Sequence, residues 1–149
     1  MVDTSDKNVT ERSATATITV SLNAETFSAL RENKSAKGDV LTVAKIAGIQ
    51  AAKKTAELIP LCHQIPLHTI AIVFALDEDK HTVTVTATAK CQWRTGVEME
   101  ALTACSVTAL TIYDMLKALQ KDIIITDLKL LGKHGGKSGD FIREDVRKK

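Results

Sequence analysis

The stretch ATATITVSL, residues 14–22, alternates small or aliphatic residues with threonine or serine. A second stretch, TVTVTATA at residues 82–89, alternates in the same way. Because a β-strand points successive side chains to opposite faces, both stretches predict strands that bury one face and leave the other polar. A half-buried sheet is therefore the framework of this protein.

Helical patterns and apolar runs fill the rest of the chain. Asn23 and Asp39 are good N-cap residues, and each precedes a segment with helical spacing of apolar side chains. Helices are predicted over residues 24–32, 40–56 and 97–119. Two further strands are predicted over residues 69–76 and 123–131.

If the two early helices form one layer, the element order is β-α-β-β-α-β. This order predicts a ferredoxin-like α+β fold, with an antiparallel sheet and helices packed on one face. The chain of 149 residues suits one domain over 1–149. Residues 1–12 are expected to form a polar arm, and residues 132–149 a flexible basic loop and tail.

Composition excludes several classes of function. The net charge is +2 and aromatic residues make up 3% of the chain, so neither a general nucleic-acid or membrane-surface binder nor a base-stacking platform is expected. There is no apolar run of about 20 residues and no signal-peptide core at the N-terminus. The three cysteines are widely spaced and odd in number, which favours a reduced cytoplasmic protein without a disulfide framework.

Two glycine–lysine stretches are candidate anion sites. The segment GKHGGKSG, residues 132–139, contains Gly-Lys-Ser, but Leu131 stands where a P-loop needs glycine and no apolar helix follows. A P-loop is therefore excluded, and either a flexible tail or a phosphate cradle remains. Lys37-Gly38-Asp39, before a helix N-terminus, is either a cationic anchor or a simple loop and cap.

Carboxylates near the ends of the long helix are candidate acid–base groups. Glu98 and Glu100 would lie about 200° apart on a regular helix, so both could serve one site only if the chain there is not yet helical. The alternative is a solvated first helical turn. Asp114 and Lys117 are neighbours at i and i+3, either as a surface ion pair or as a partly buried acid–base pair.

Histidine and cysteine positions predict no metal site. Cys62 and His63 are adjacent in an extended segment and point to opposite sides, so they do not form a nucleophile–base pair. Cys62 is interpreted as a packing residue, and His63 as either a structural histidine or a ligand contact. His68, His81 and His134 lack metal-ligand spacing. The residues alone favour an anion-handling domain that acts on a phosphorylated small molecule.

Several blocks of sequence resemble a known family. They are MVD (1–3), KGDV (37–40), AGI (47–49), AAK (51–53), LIPLCH (58–63), TGVEMEALT (95–103), LTIYDM (110–115) and GGKSGD (135–140). Together they closely resemble the cyclic pyranopterin monophosphate synthase family (MoaC) of molybdenum cofactor biosynthesis. The alternative, a non-catalytic ferredoxin-like nucleotide-binding module, would call for sheet-face aromatics or a broad basic stripe, and the sequence has neither.

The resemblance implies a lyase that converts 3′,8-cyclo-7,8-dihydro-GTP to cyclic pyranopterin monophosphate and releases diphosphate. It implies a ferredoxin-like subunit in a hexamer built as a trimer of dimers, with sites at the dimer interfaces. The partner is thus a small-molecule substrate, the cyclised GTP intermediate, together with further copies of the chain. No cofactor of the protein's own is implied, and whether Mg²⁺ accompanies the triphosphate is left open.

The resemblance also assigns roles to individual residues. Asp114 matches the catalytic acid–base residue, and Lys37 and Lys117 match the catalytic lysines. The matching substrate contacts are Leu61, Cys62, His63, Met99 and Glu100, with Glu98 in the same carboxylate pair. Arg12 and Lys133 match phosphate-binding positions. The departures from the family pattern are Gln64, Leu116 and His134.

One length argument bears on the site. Glu100 and Asp114 are 14 residues apart, so a straight helix would separate them by ~21 Å along its axis. One compact substrate is not expected to touch both from a single chain, whereas an antiparallel twofold contact would bring the two ends of different subunits together.

Overall fold

The computed structural model describes residues 1–137 and 139–144; Ser138 of the GKSG motif and the tail from 145 onward lie outside the described residues. These residues contain an antiparallel sheet with the strand order β2-β3-β1-β4-β5. The strands are β1 Thr10–Ser21, β2 Thr69–Asp77, β3 Thr82–Trp93, β4 Ile124–His134 and β5 Phe141–Ile142. The first four strands have the order and directions of a ferredoxin-like sheet, which confirms the predicted α+β class.

The helices lie between these strands as the sequence predicts. They are α1 Ala24–Arg31, α2 Val40–Lys53, α3 Thr55–Leu58 and α4 Glu98–Leu116. Asn23 and Asp39 both cap as expected, since their side chains accept hydrogen bonds from backbone N–H groups of the first helical turn, at 2.8 and 3.0 Å. Helices α2 and α4 pack side by side and cover one face of the sheet.

The pairing of β1 with β3 explains which face is buried. The register runs without interruption from Thr10 opposite Trp93 to Ser21 opposite Thr82. It therefore aligns the small apolar residues of the two strands beneath the helices. The buried set is Ala14, Ala16, Ile18, Val20, Val83, Val85, Ala87 and Ala89. On the other face the threonines meet, as in the 3.0 Å contact between the hydroxyls of Thr15 and Thr88.

Two boundaries differ from the sequence prediction of an arm over 1–12 and a flexible tail over 132–149. Strand β1 begins at Thr10, so Arg12 belongs to the sheet and the polar arm spans 1–9. Strand β4 continues to His134 and pairs with β5. In both places the strands are held by backbone hydrogen bonds, which polar residues and glycine form as well as apolar residues do. These segments therefore lack the alternating pattern by which a strand is predicted from sequence.

The predicted helix ends also shift. The segment predicted as one helix over 40–56 is two helices, because α2 ends at Lys53 and α3 begins at Thr55. Helix α4 ends at Leu116 rather than at residue 119, and a turn follows. Among the helices of the described residues, none combines the length and the apolar character of a membrane-spanning segment.

The contact between α2 and α4 depends on one glycine. A Cβ atom added to Gly48 would lie 2.0 Å from Thr108 Oγ1 and 2.9 Å from the carbonyl oxygen of Ala104, both on α4. It would also lie 2.6 Å from Ile72 Cδ1 of the sheet. The two helices therefore approach as closely as a residue without a side chain allows.

We predict that Gly48→Ala lowers the free energy of unfolding by ~2 kcal/mol. Overpacking a tight core costs about 1–3 kcal/mol, which outweighs the gain of up to about 1 kcal/mol in helix propensity. Urea unfolding measures the difference. Gln50→Ala on the exposed side of the same helix is the control, with a change within about 0.5 kcal/mol. A Gly48→Ala protein more stable than wild type would contradict the close contact.

Candidate active site

Two cavities adjoin at the N-terminal end of α4. One, the cationic cavity, has a volume of about 410 Å³ and is lined by the charged side chains of Lys7, Arg12, Arg94, Lys133, Lys137 and Glu98. The other, the apolar cavity, has a volume of about 350 Å³. Both are lined by Lys7, Thr95, Gly96 and Glu98, so the two cavities meet there. A ligand with an anionic part and a flat, mostly apolar part would match this pair of cavities.

The apolar cavity gathers the substrate contacts that the sequence predicts. Its lining includes Leu61, Cys62, His63, Met99 and Glu100. The first three follow α3 in an irregular segment, and the last two belong to the first turn of α4. Residues almost 40 positions apart in the chain thus share one cavity.

Glu98 and Glu100 both line this cavity from inside a regular helix, which corrects the expectation that the chain there could not be helical. The cavity wraps around the end of α4, so side chains of the first turn reach it from different sides. Glu98 folds back over Gly96, where an added Cβ would lie 2.0 Å from the carboxylate. Its other oxygen is 3.0 Å from Lys133 Nζ.

Glu100 is the buried carboxyl of the site. Its residue is only 3% exposed. Burial raises the pKa of Glu100 to about 6, and the nearby charge of Glu98 raises it further in the same direction. A carboxyl with this pKa exchanges its proton close to neutral pH, as a general acid or base requires.

Arg12 is fixed in the wall of the cationic cavity. It is 8% exposed, and its guanidinium donates hydrogen bonds to the carbonyl oxygens of Trp93, at 3.2 Å, and Arg94, at 3.5 Å. Gly136, at φ +91°, passes so close that an added Cβ would lie 1.6 Å from Arg12 Nη1. The glycine loop therefore lies directly against the guanidinium. Together with Lys133 on β4, this arrangement favours the phosphate-cradle interpretation of that loop.

The three residues expected to be catalytic form a separate cluster at the other end of α4. Lys37 Nζ donates to Asp114 Oδ2 at 2.8 Å and to the Asp114 carbonyl at 2.9 Å. Lys117 Nζ is 2.7 Å from the other carboxylate oxygen, Oδ1. Gly38, at φ +91°, makes the turn that brings Lys37 back toward α4.

This lysine–aspartate cluster is exposed, which contradicts the expectation of a partly buried acid–base pair. The Asp114 side chain is 54% exposed. Hydrogen bonds from Lys117 and Lys37 lower the pKa of Asp114 to about 2, and the bond to Asp114 raises the pKa of Lys117. In the single chain Asp114 is therefore an ionised carboxylate that orients two ammonium groups.

The two charged clusters do not meet within one chain. Lys37, Asp114 and Lys117 line neither the cationic nor the apolar cavity. Helix α4 is continuous from Glu98 to Leu116, so Glu100 and Asp114 stay about 21 Å apart along its axis.

The departures from the family pattern lie beside the site rather than in the lining of either cavity. Gln64 is exposed, and Leu116 is fully buried in the core. His134 Nδ1 lies 2.7 Å from Asp140 Oδ2, and Asp140 Oδ1 accepts from Gly135 N at 3.1 Å. The histidine thus helps to close the glycine loop.

Sequence reasoning missed three cations of the site. Lys7 belongs to the arm and Arg94 to the segment after β3, where no pattern marks them as ligand contacts. Lys137 belongs to the glycine loop, for which the sequence alone allows either a flexible tail or a phosphate cradle. All three line the cationic cavity.

Glu100 should make the stability of the free protein depend on pH. Because its pKa is raised, the folded chain keeps the proton to higher pH than the unfolded chain, whose glutamate titrates near 4.5. Stability is therefore lost as the pH rises from about 4.5 through about 6. We predict that Glu100→Gln is more stable than wild type by ~1–2 kcal/mol at pH 7 and equally stable at pH 4.

Urea unfolding at pH 4 to 7 measures this difference. Glu25→Gln is the matched control, since Glu25 is an exposed glutamate in the first turn of α1. A Glu100→Gln difference that does not change with pH, or one of opposite sign at pH 7, would show that Glu100 is not a desolvated carboxyl.

Comparison with known proteins identifies the family of this chain. Residues 1–136 match the model of the MoaC family. A cyclic pyranopterin monophosphate synthase of Brevibacillus brevis is 55% identical over 143 residues, covering 96% of this chain and 89% of the relative. Those of Heliobacterium modesticaldum and Dinoroseobacter shibae are 52% and 53% identical, each over 97% of this chain and 91% of the relative. The chain belongs to the MoaC family, the lyases named cyclic pyranopterin monophosphate synthases.

Proposed function

We propose that this protein converts 3′,8-cyclo-7,8-dihydro-GTP to cyclic pyranopterin monophosphate, with release of diphosphate, in molybdenum cofactor biosynthesis. Membership of the family supports the reaction. The observation in the structure that carries it is the adjoining pair of cavities. One gathers cations for a triphosphate, and the other presents Met99, His63 and a proton-exchanging carboxyl to a ring.

The cationic cavity supplies binding and leaving-group stabilisation. Its five cations face one carboxylate, so its net charge of +4 balances the roughly four negative charges of a triphosphate. When the cyclic phosphate forms, a hydroxyl oxygen of the substrate bonds to the α-phosphorus and gives up its proton to a basic group of the site. The bond from the α-phosphorus to the diphosphate breaks, and negative charge develops on the departing oxygen. Preorganised cations such as Arg12 and Lys133 stabilise that charge. Any Mg²⁺ ion would come with the triphosphate, as part of the substrate.

Proton transfers fall to the carboxyls and lysines. Opening and re-forming the ring of a purine-derived substrate moves protons at several atoms, and Glu100 has a pKa suited to such transfers near neutral pH. Asp114 starts as a weak base, because two lysines hold its pKa at about 2. Moving this carboxylate next to the glutamates of an apolar cavity would desolvate it and raise its pKa toward the range of acid–base catalysis.

The complete site is shared between two copies of the chain. The separation of about 21 Å along α4 keeps Asp114 away from the cavities of its own subunit. In an antiparallel twofold pair, each subunit would bring its lysine–aspartate cluster to the cavities of the other. A hexamer built as a trimer of such dimers, acting in the cytoplasm with its cysteines as free thiols, is part of this proposal.

The activity is tested by incubating the purified protein with the cyclised GTP intermediate. The product is detected by oxidation to a fluorescent pterin, and diphosphate release is measured in parallel. We expect equal amounts of both. A folded oligomeric protein that releases neither would contradict the proposed function, and binding without turnover would favour the non-catalytic nucleotide-binding module.

We predict that Asp114→Asn lowers turnover by at least ~100-fold, the usual scale for a positioned acid–base group, and leaves the fold unchanged. The amide keeps the size of the side chain but can neither accept a proton as a carboxylate nor hold two ammonium groups. Steady-state diphosphate release measures the effect. Asp122→Asn, at an exposed aspartate just beyond α4, is the control. Near-normal turnover of Asp114→Asn would show that this cluster is a surface ion pair without a catalytic role.

A second prediction concerns the sharing of the site. Glu100→Ala and Asp114→Ala should each be inactive alone and regain activity when mixed under subunit exchange. Random pairing makes about half of the dimers hybrid, and each hybrid has one intact site of two, so up to ~25% of wild-type activity should return.

The matched control mixes Asp114→Ala with Lys117→Ala. Both changes lie in the same cluster, so no hybrid site is intact and no activity should return. If exchange is demonstrated and the Glu100→Ala mixture still stays inactive, the two residues serve a site within one chain.

A further inference from the structure

The N-terminal arm, residues 1–9, forms one wall of the apolar cavity and binds a histidine of the same cavity. Val2 and Thr4 line the cavity beside His63. His63 Nε2 lies 2.8 Å from the carbonyl oxygen of Val2. Because a carbonyl oxygen can only accept a hydrogen bond, Nε2 is the donor and carries a proton. The backbone of the arm therefore decides which ring nitrogen of His63 is protonated.

The other ring nitrogen, Nδ1, is left for a ligand. In a neutral imidazole one nitrogen donates and the other accepts, so Nδ1 of His63 is the acceptor here. No group of residues 1–137 or 139–144 forms a hydrogen bond with it. The side chain is half-buried in the cavity wall. A ligand in the apolar cavity thus meets an imidazole that accepts a hydrogen bond and does not offer one.

Asp3 folds the arm into the turn that presents the Val2 carbonyl to His63. Asp3 Oδ1 accepts hydrogen bonds from Ser5 Oγ at 2.6 Å and from Ser5 N at 2.9 Å. These bonds lower the pKa of Asp3, and a positive charge on His63 lowers it in the same direction. Asp3 lines neither the cationic nor the apolar cavity. It therefore acts on a ligand only through the shape of the arm.

The arm is tied on both sides of this turn. His63 binds it before the turn, and the guanidinium of Arg94 donates to the carbonyl of Ser5 after it. The two anchors come from different parts of the fold, since His63 follows α3 and Arg94 follows β3. The arm pairs with no strand, so the turn at Asp3 is what keeps the two contacts in register.

We propose that the N-terminal arm sets the tautomer and the ring orientation of His63, with Asp3 as the positioning residue, so that the apolar cavity recognises an N–H group of its ligand through Nδ1. The identity of that ligand rests on the proposed function, because a purine-derived ring carries N–H groups. Without the carbonyl, His63 would rotate and exchange between tautomers, and part of the population would present a donor to a donor. Fixing the acceptor in advance removes this cost from binding.

The tautomer of His63 in the free, full-length protein tests the inference. Nitrogen chemical shifts of isotope-labelled histidine report which ring nitrogen is protonated, and loss of signals in His63→Gln assigns His63 among the four histidines. At pH 8 we expect a single Nε2–H tautomer in wild type. Asp3→Ala should move both nitrogen shifts toward those of an exchanging histidine. Asp3→Asn should keep the wild-type shifts, because its amide oxygen accepts the same two hydrogen bonds.

Asp6→Ala is the matched control, because it removes the same charge from the same arm. Asp6 lines neither cavity, and its side chain has no hydrogen bond or ion pair in the described parts of the chain. This variant should leave the shifts of His63 unchanged. Averaged tautomers in wild type, unchanged shifts in Asp3→Ala, or an equal change in Asp6→Ala would each overturn the inference.

A double-mutant cycle shows whether Asp3 acts through His63. The probe is GTP, which carries a triphosphate and a purine ring with N–H groups, and calorimetry measures its binding. Asp3→Ala should weaken binding roughly fivefold, the scale of one net hydrogen bond. In the His63→Ala background it should cause no further loss, since the side chain that it positions is gone. An equal loss in both backgrounds, or a wild-type protein that binds no GTP, would contradict the inference.

Neither measurement needs turnover, so the result can be distinguished from failure of the proposed function. A single His63 tautomer and a coupled pair, in a protein that does not convert the cyclised GTP intermediate, would leave this inference standing and reject the reaction. Full conversion by wild type, together with unchanged His63 shifts in Asp3→Ala, would reject the positioning role and leave the reaction standing.

Discussion

The length and rigidity of α4 constrain the whole functional design. Its 19 residues span ~28 Å, and it is buried along one side by the sheet and along another by α2. Gly48 lets α2 approach so closely that the helix has no space to bend toward it. The packed core therefore keeps α4 straight and keeps the charged groups at its two ends apart. A symmetric pair of chains is the simplest arrangement that joins the two ends, because a twofold axis perpendicular to a helix places its start beside its partner's end.

The two ends of this helix also place the same chemical group in opposite environments. Glu100 is buried at the N-terminal end, and its pKa rises to about 6. Asp114 is exposed between two lysines at the C-terminal end, and its pKa falls to about 2. In the single chain these separated pKa values let Glu100 exchange a proton near neutral pH, whereas Asp114 stays ionised between its two lysines. The two roles come from burial and from neighbouring charge, and not from the difference between glutamate and aspartate.

Sequence reasoning predicted the elements whose side chains carry a pattern and missed features that depend on the backbone or on distant contacts. Alternation identified β1 and β3, and the caps Asn23 and Asp39 marked α1 and α2. The start of β1 at Thr10 and the continuation of β4 to His134 rest on backbone pairing between polar or glycine residues, which leaves no period in the sequence.

The exposure of Asp114 could not be foreseen from its apolar neighbours, since Met115 and Leu116 turn into the core while the aspartate turns to solvent. Lys7 reaches the site through contacts with residues about 60 and 90 positions away, which no local pattern encodes.

The cations of the site are divided between regular and irregular parts of the chain, and this division suits a reaction that must release an anion. Arg12 on β1 and Lys133 on β4 are held by paired strands at the centre of the sheet. Lys7 and Lys137 belong to the arm and to the glycine loop, whose described residues are held by a few hydrogen bonds rather than by a strand ladder. A cavity of five fixed cations would bind a diphosphate product as firmly as it stabilises the departing charge, because both interactions have the same electrostatic origin. The arm and the glycine loop have fewer paired backbone groups than the sheet, so opening either of them costs less free energy than opening the sheet, because opening free energies are lowest where buried contacts and paired backbone groups are few.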